Sequence, residues 1–180
     1  MNRYLNDNDS MVVRNKIWEE LKQAHANVLC LCWYTNKQRK YERWYQVFVA
    51  LVASGGTFGY LINEYAPLIS SGIIAFISVA KSLFPHFLQP EKELCILDGL
   101  MDYYNKYMNE MEHLFYQFDH KEIEEKEAIQ KVYELKKDEC SQQSIMNRFV
   151  RSIPESRHKK IDNESTEYIN RVYFDKYEQN

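Results

Sequence analysis

Residues 44–84 hold only two formal charges, Glu64 and Lys81, in a chain of 180 residues of which 27% are charged. A helix this bare of charge has few places to go, since water-facing surfaces need polar cover. Within the stretch, residues 44–63 (WYQVFVALVASGGTFGYLIN) run for twenty positions without a charge. At about 1.5 Å per residue that length covers the roughly 30 Å hydrocarbon core of a bilayer. Asn63, Glu64, Tyr65, Ala66 and Pro67 form a short polar turn, with Pro67 suited to the first turn of a second helix. A second apolar run covers 66–80 and meets Lys81, whose amine can reach the headgroups while its stem stays in lipid. Ser82, Leu83, Phe84 and Phe87 extend it, and Pro85 and Pro90 mark the exit. Trp44, Tyr45, Tyr60, Tyr65 and Phe87 sit at the ends of the runs, as interfacial aromatic belts do. The pattern predicts a two-span helical hairpin over 44–87. The competing reading, a buried hairpin inside a soluble bundle, needs more surrounding protein than this chain supplies.

The mean hydropathy of -0.58 resembles that of a soluble protein only because it averages over unlike segments. Residues 1–43 carry 8 basic and 5 acidic side chains, and residues 91–180 carry 14 and 20. Lys37, Arg39, Lys40 and Arg43 crowd against the start of the apolar stretch, a juxtamembrane pattern. The positive-inside rule puts them in the cytoplasm, and two spans return the chain there, so both termini are expected to be cytoplasmic. The acidic balance of the C-terminal half speaks against direct binding of nucleic acid. The first forty residues are polar, unlike a cleavable signal.

The flanking segments read as helices, making the expected fold an all-α membrane protein. Residues 1–10 are polar, with Asp9 or Ser10 available as an N-cap, and from about Met11 the residues Val13, Ile17, Leu21, Ala24, Val28 and Leu31 mark one helical face. After Pro90 the residues Leu94, Leu97, Met101, Tyr104, Met108, Met111, Phe115 and Phe118 repeat at alternating steps of three and four, an a/d heptad. Leu100, Tyr107 and Leu114 widen that stripe, which suits a multi-helix bundle better than a two-stranded zipper. A turn is expected at 119–121, then a helix with Ile129, Val132, Tyr133 and Lys136 on one face, able to fold back on the heptad helix. The chain thus divides into an N-terminal cytosolic amphipathic helix (1–43), the hairpin (44–87), a cytosolic helical hairpin or coiled coil (88–150) and a polar tail (151–180). In the tail Tyr168, Ile169, Val172, Tyr173, Phe174 and Tyr177 suggest a linker followed by a short docking helix.

Four of the five glycines, Gly55, Gly56, Gly59 and Gly72, fall in the hairpin. Gly55 and Gly59 make a GxxxG, and Ser71 and Ala75 a small-xxx-small pair. In lipid, helices associate by close backbone approach, which small residues permit. The packing is either between copies of the chain or between the two spans of one chain. If copies assemble, Thr57, Ser70, Ser78 and Lys81 are the groups able to line a path through the bilayer, although Lys81, at the cytoplasmic end, suits anchoring at the headgroups better than lining a pore.

Enzymatic signatures are missing: the chain has no GxGxxG, Walker A, GxSxG or HExxH. Glu110–His113 and Glu155–His158 have ExxH spacing, but a carboxylate-bridged metal pair needs two further facing glutamates. Cys30, Cys32, Cys95 and Cys140 lack zinc-ligand spacing, so no metal or cofactor is expected, and reduced thiols suit a cytosolic setting. Tyr103, Tyr104 and Tyr107 could stack on a base, although Tyr104 lies at a core position of the heptad.

The order of an amphipathic N-terminal helix with Ala24 and His25, a basic-aromatic segment at 36–44 (NKQRKYERW), a small-residue-rich two-span hairpin and a long cytosolic helix resembles the SLATT proteins. These are two-span effector domains associated with SMODS nucleotidyltransferases and SLOG sensors in bacterial conflict systems. The resemblance covers roughly residues 12–135. It implies a non-enzymatic, pore-forming effector of anti-phage defence in the bacterial inner membrane, homo-oligomeric and released by an upstream nucleotide signal or a partner such as a nucleotidyltransferase or reverse transcriptase. Two other readings fit the layout: a membrane-anchored adaptor whose cytosolic helices recruit a soluble enzyme, and a small subunit of a larger membrane enzyme.

Overall fold

Residues 1–54 contain neither proline nor glycine, and the backbone runs there as one helix, α1 (Arg3–Gly59). The computed structural model describes residues 3–59, 71–72, 75, 78–79 and 89–174. Among these every regular element is helical: α1, then α2 (Glu91–Asp119), α3 (Glu125–Phe149), α4 (Glu155–Ile169) and a π-helical turn (Asn170–Phe174). Residues 71, 72, 75, 78 and 79 are helical too. The all-α expectation holds. Among the described residues no helix is long and apolar enough to cross a membrane. Residues 44–59 of the uncharged run end α1, while residues 60–63 lie outside the described set.

The start of α1 corrects the sequence reading. Helix begins at Arg3 rather than near Met11, and Asp9 and Ser10 lie inside it instead of capping it. Nothing in residues 1–10 breaks a helix, so a good capping residue is simply passed through.

The chain divides into two units, one of residues 1–34 with 96–180 and one of residues 35–95. The first is a helical bundle whose core joins Val13, Ile17, Leu21 and Ala24 of α1 to Tyr107, Met111, Leu114 and Phe115 of α2, Ala128 and Val132 of α3, and Ile169 and Tyr173 at the C-terminal end. Burying each large aliphatic or aromatic side chain contributes about 1.5–3 kcal/mol, which makes this stripe the principal source of the unit's stability. Arg14 fastens α1 to α2 by an ion pair with Asp119 at 3.1 Å and by lying over the Phe115 ring.

The ends of the helices follow local chemistry. Pro90 starts α2, its carbonyl accepting from the N–H groups of Glu93 and Leu94, and Glu91 and Glu93 complement the helix dipole. The exit from α2 is a Schellman turn: the N–H of Glu122 donates to the Gln117 carbonyl and that of Lys121 to the Phe118 carbonyl. Lys121 takes the left-handed position at φ 59°, where glycine is usual. Pro154 opens α4 as Pro90 opens α2, accepting from Arg157 and His158.

Candidate functional site

In the unit of residues 35–95, the C-terminal half of α1 carries an exposed apolar face. Trp44 is 65% exposed, Val47 51%, Phe48 39% and Leu51 65%, at the i, i+3, i+4, i+7 spacing of a helix stripe that normally faces a core. Directly before it stand the four basic residues. Lys40 and Arg43 are exposed, Lys37 and Arg39 half-buried, and the Lys37 ammonium lies 5.8 Å from the centre of the Tyr41 ring. Lys40 and Arg43 have no ion-pair partner among the described residues. The result is a helix with charge at one end of a face and exposed apolar side chains along the rest.

The small-residue positions are only partly in view. Gly55, Gly56, Gly59 and Thr57 are in helix α1. Ser71, Gly72, Ala75 and Ser78 are exposed, and a β-carbon built on Gly72 would meet nothing within 4 Å. Ser70 and Lys81 fall outside the described residues.

The heptad residues divide by depth. Leu94, Leu97, Tyr104, Met111 and Phe115 are buried, while Met101, Met108 and Phe118 are half-buried. The flanking set Leu100, Tyr107 and Leu114 is buried to 3% each. The continuous seam is therefore Leu97, Leu100, Tyr104, Tyr107, Met111, Leu114, itself a three-four repeat rotated by one position from the a/d line. Of these, Tyr107, Met111 and Leu114 pack with α1 and α3 of the same chain.

Sequence reasoning missed a polar cluster inside the bundle. Glu20 of α1 accepts from the Tyr107 hydroxyl at 3.1 Å and from the Lys136 ammonium of α3. Beside it the Tyr104 hydroxyl donates to Glu139 at 3.3 Å. Burial, with the nearby carboxylates, pushes both tyrosine hydroxyls well above their ordinary range. Burial also raises the Glu139 carboxyl, and the Glu20 bond raises Lys136. The two tyrosine hydroxyls and the Lys136 ammonium keep their protons at neutral pH, so the cluster fixes the register of α1, α2 and α3 through directed hydrogen bonds between the helices. A signal for it was present: a tyrosine on a core stripe must bring an acceptor with it.

The two ExxH histidines, His113 and His158, are exposed, and among the described residues no group of three or more His, Cys, Asp or Glu is placed to hold a metal. His113 lines an open groove of about 850 Å³ along α2 and α3, together with Tyr103, Lys106, Glu110, Glu134 and Asp138. Burial and the neighbouring carboxylates push the Tyr103 hydroxyl up to about 12. The groove's charges are mixed, with Lys106 and Lys131 set among Glu110, Glu134 and Asp138.

The tail docks where a linker and short helix were expected. Ile161, Ser165 and Ile169 of α4 are buried. Its contacts with α1 include His25 at 3.1 Å from the Ser165 hydroxyl, Lys22 on Asp162 at 3.1 Å, Trp18 donating to Asn170 at 3.0 Å, and Arg157 over the Trp33 ring. Compared with family models, curated proteins and solved structures, the chain matches none.

Proposed function

We propose that the protein is a non-enzymatic, two-span effector of the bacterial inner membrane that assembles with copies of itself and permeabilises or depolarises the membrane when an upstream nucleotide signal or partner releases it. The observation that carries the membrane part is the exposed apolar face of Trp44, Val47, Phe48 and Leu51, which begins the twenty-residue uncharged run. Lipid is a cover of matching chemistry and length. The resemblance to SLATT proteins supplies the effector role. Assembly follows from size, because two spans are too little wall for a pore, and the GxxxG of Gly55 and Gly59 offers a close-approach surface. Thr57, Ser70, Ser78 and Lys81 remain the groups assigned to the path.

The open groove along α2 and α3 favours a second reading, a membrane-anchored adaptor that recruits a soluble enzyme by that surface. Exchanging residues 44–84 for an unrelated two-span anchor separates the two: an adaptor keeps its activity and a pore loses it. For the full chain in cells, the expected result is resistance to carbonate extraction and loss of membrane potential on activation. An unchanged potential under every activating condition would sink the pore.

A further inference from the structure

Lys40, Arg43, Trp44 and Val47 line one shallow recess on α1. Their spacing puts them on a single helix face, two cations followed by two apolar side chains. Both cations are exposed and without an ion-pair partner among the described residues, whereas Lys37 is taken up by the Tyr41 ring and Arg39 is half-buried with interactions of its own. The four basic residues are thus not equivalent: two are engaged and two are presented. A soluble anion would use the cations and leave the indole and valine bare. A neutral lipid would use the apolar pair and leave two charges unanswered.

We propose that this face is a binding site for one anionic phospholipid, its headgroup phosphate held between Arg43 and Lys40 and an acyl chain laid along Trp44 and Val47. The proposal rests on the membrane reading above. A guanidinium takes two phosphate oxygens at once and an ammonium adds a point charge, so the pair orients the headgroup as well as attracting it. Each cation near an anionic lipid surface is worth about fivefold in binding, so the pair sets a selectivity of roughly twenty-five-fold for anionic over zwitterionic lipid.

The test uses the full chain reconstituted in vesicles of brominated phosphatidylglycerol or brominated phosphatidylcholine, reading the quenching of Trp44, with Trp44→Phe giving the background from Trp18 and Trp33. The wild type is expected to prefer phosphatidylglycerol by about tenfold or more, K40Q/R43Q to show a ratio near one, and K37Q/R39Q to keep most of the preference. Equal loss in both double variants would mean general charge attraction and overturn the site. Competition by millimolar inorganic phosphate would reassign it to a soluble anion and overturn it equally. Carbonate extraction of each variant keeps the outcomes apart. A chain that is membrane-integral without lipid preference refutes the site alone, and a chain that never integrates refutes the membrane reading with it.

Discussion

His25 of α1 and Tyr168 of α4 stack face to face, ring centroids 4.3 Å apart and planes 3° from parallel. Burial holds the imidazole below its ordinary value of 6.5, with Glu164 opposing, so the docked helix favours the neutral ring. When α4 is undocked the ring titrates at its ordinary value and binds more protons. Docking is therefore at full strength above about pH 6.5 and weakens as pH falls below it. Protection factors of the amides over residues 155–169, corrected for the intrinsic exchange rate at each pH, are expected to fall on acidification from pH 7 to 5.5. His25→Phe, which keeps a stacking ring and cannot charge, should remove most of that dependence. A pH dependence as large in His25→Phe as in the wild type would contradict the assignment.

Glu20 and Glu139 are two buried carboxylates, and the partly exposed Lys136 ammonium pairs with Glu20. Glu139→Gln keeps an acceptor for Tyr104 and removes the surplus charge, so it should be neutral or stabilising by up to about 1 kcal/mol at pH 7. The folded Glu139 carboxyl is raised, so its charge penalty fades as pH falls through that raised value toward 4.5, and the gain from the variant should shrink along the same path. Lys136→Met should cost about 1–2 kcal/mol, since it strands Glu20, a figure held down by the exposure of the lysine. Thermal melts followed by helical circular dichroism at pH 7 and pH 5 check both signs.

Lys121 holds the left-handed position of the Schellman turn with its N–H already bonded to the Phe118 carbonyl. Glycine, having no β-carbon, reaches that conformation without the clash with the carbonyl that the β-carbon of an L residue suffers. Lys121→Gly is expected to stabilise the bundle by about 0.5–1 kcal/mol, while Lys121→Val should cost about as much, and the melting midpoints should move in opposite directions.

How far the sequence could be read depended on whether a residue's fate was decided locally. Val13, Ile17, Leu21 and Ala24 announce their face by spacing, and they are the core of α1. Pro90, Pro154 and the turn after Asp119 are likewise local events. The seam of α2 was displaced because an a/d template assumes a partner helix of the same kind, whereas Tyr107 and Leu114 are drawn in by α1 and α3 together. Glu20 and Glu139 gave no warning: an acid on a helix reads as solvent-facing until its tertiary partner is known. The π-turn at Asn170–Phe174, with Tyr173 edge-on to Phe115 at 5.8 Å, also depends on a contact far away in sequence.

Cys30 is buried, and burial pushes its thiol up to about 11, whereas Cys95 and Cys140 are exposed. Thiolate is the reacting species, so Cys30 is doubly protected, by access and by protonation. Labelling with a maleimide at pH 7.5 should modify Cys95 and Cys140 within minutes and leave Cys30 untouched until the bundle opens. Fast labelling of Cys30 in the native protein would mean that the α1 face at 30–34 is not closed.

The seam of α2 has a consequence for assembly. Tyr107, Met111 and Leu114 are committed to helices of their own chain, so the heptad cannot also hold copies in register through those side chains. Under the membrane reading proposed above, self-association falls to other surfaces, and the small-residue run at Gly55 and Gly59 suits close approach in lipid. Gly55→Leu and Gly59→Leu each push the helices apart, and each should weaken self-association by about tenfold, near 1.4 kcal/mol. Ile96→Ala, on the exposed side of α2 at 42% exposure, should leave it unchanged. Sizing by multi-angle light scattering across a detergent dilution series measures both. An oligomer that survives the glycine variants and falls apart with Ile96→Ala would move the interface to α2 and return Gly55 and Gly59 to packing within one chain.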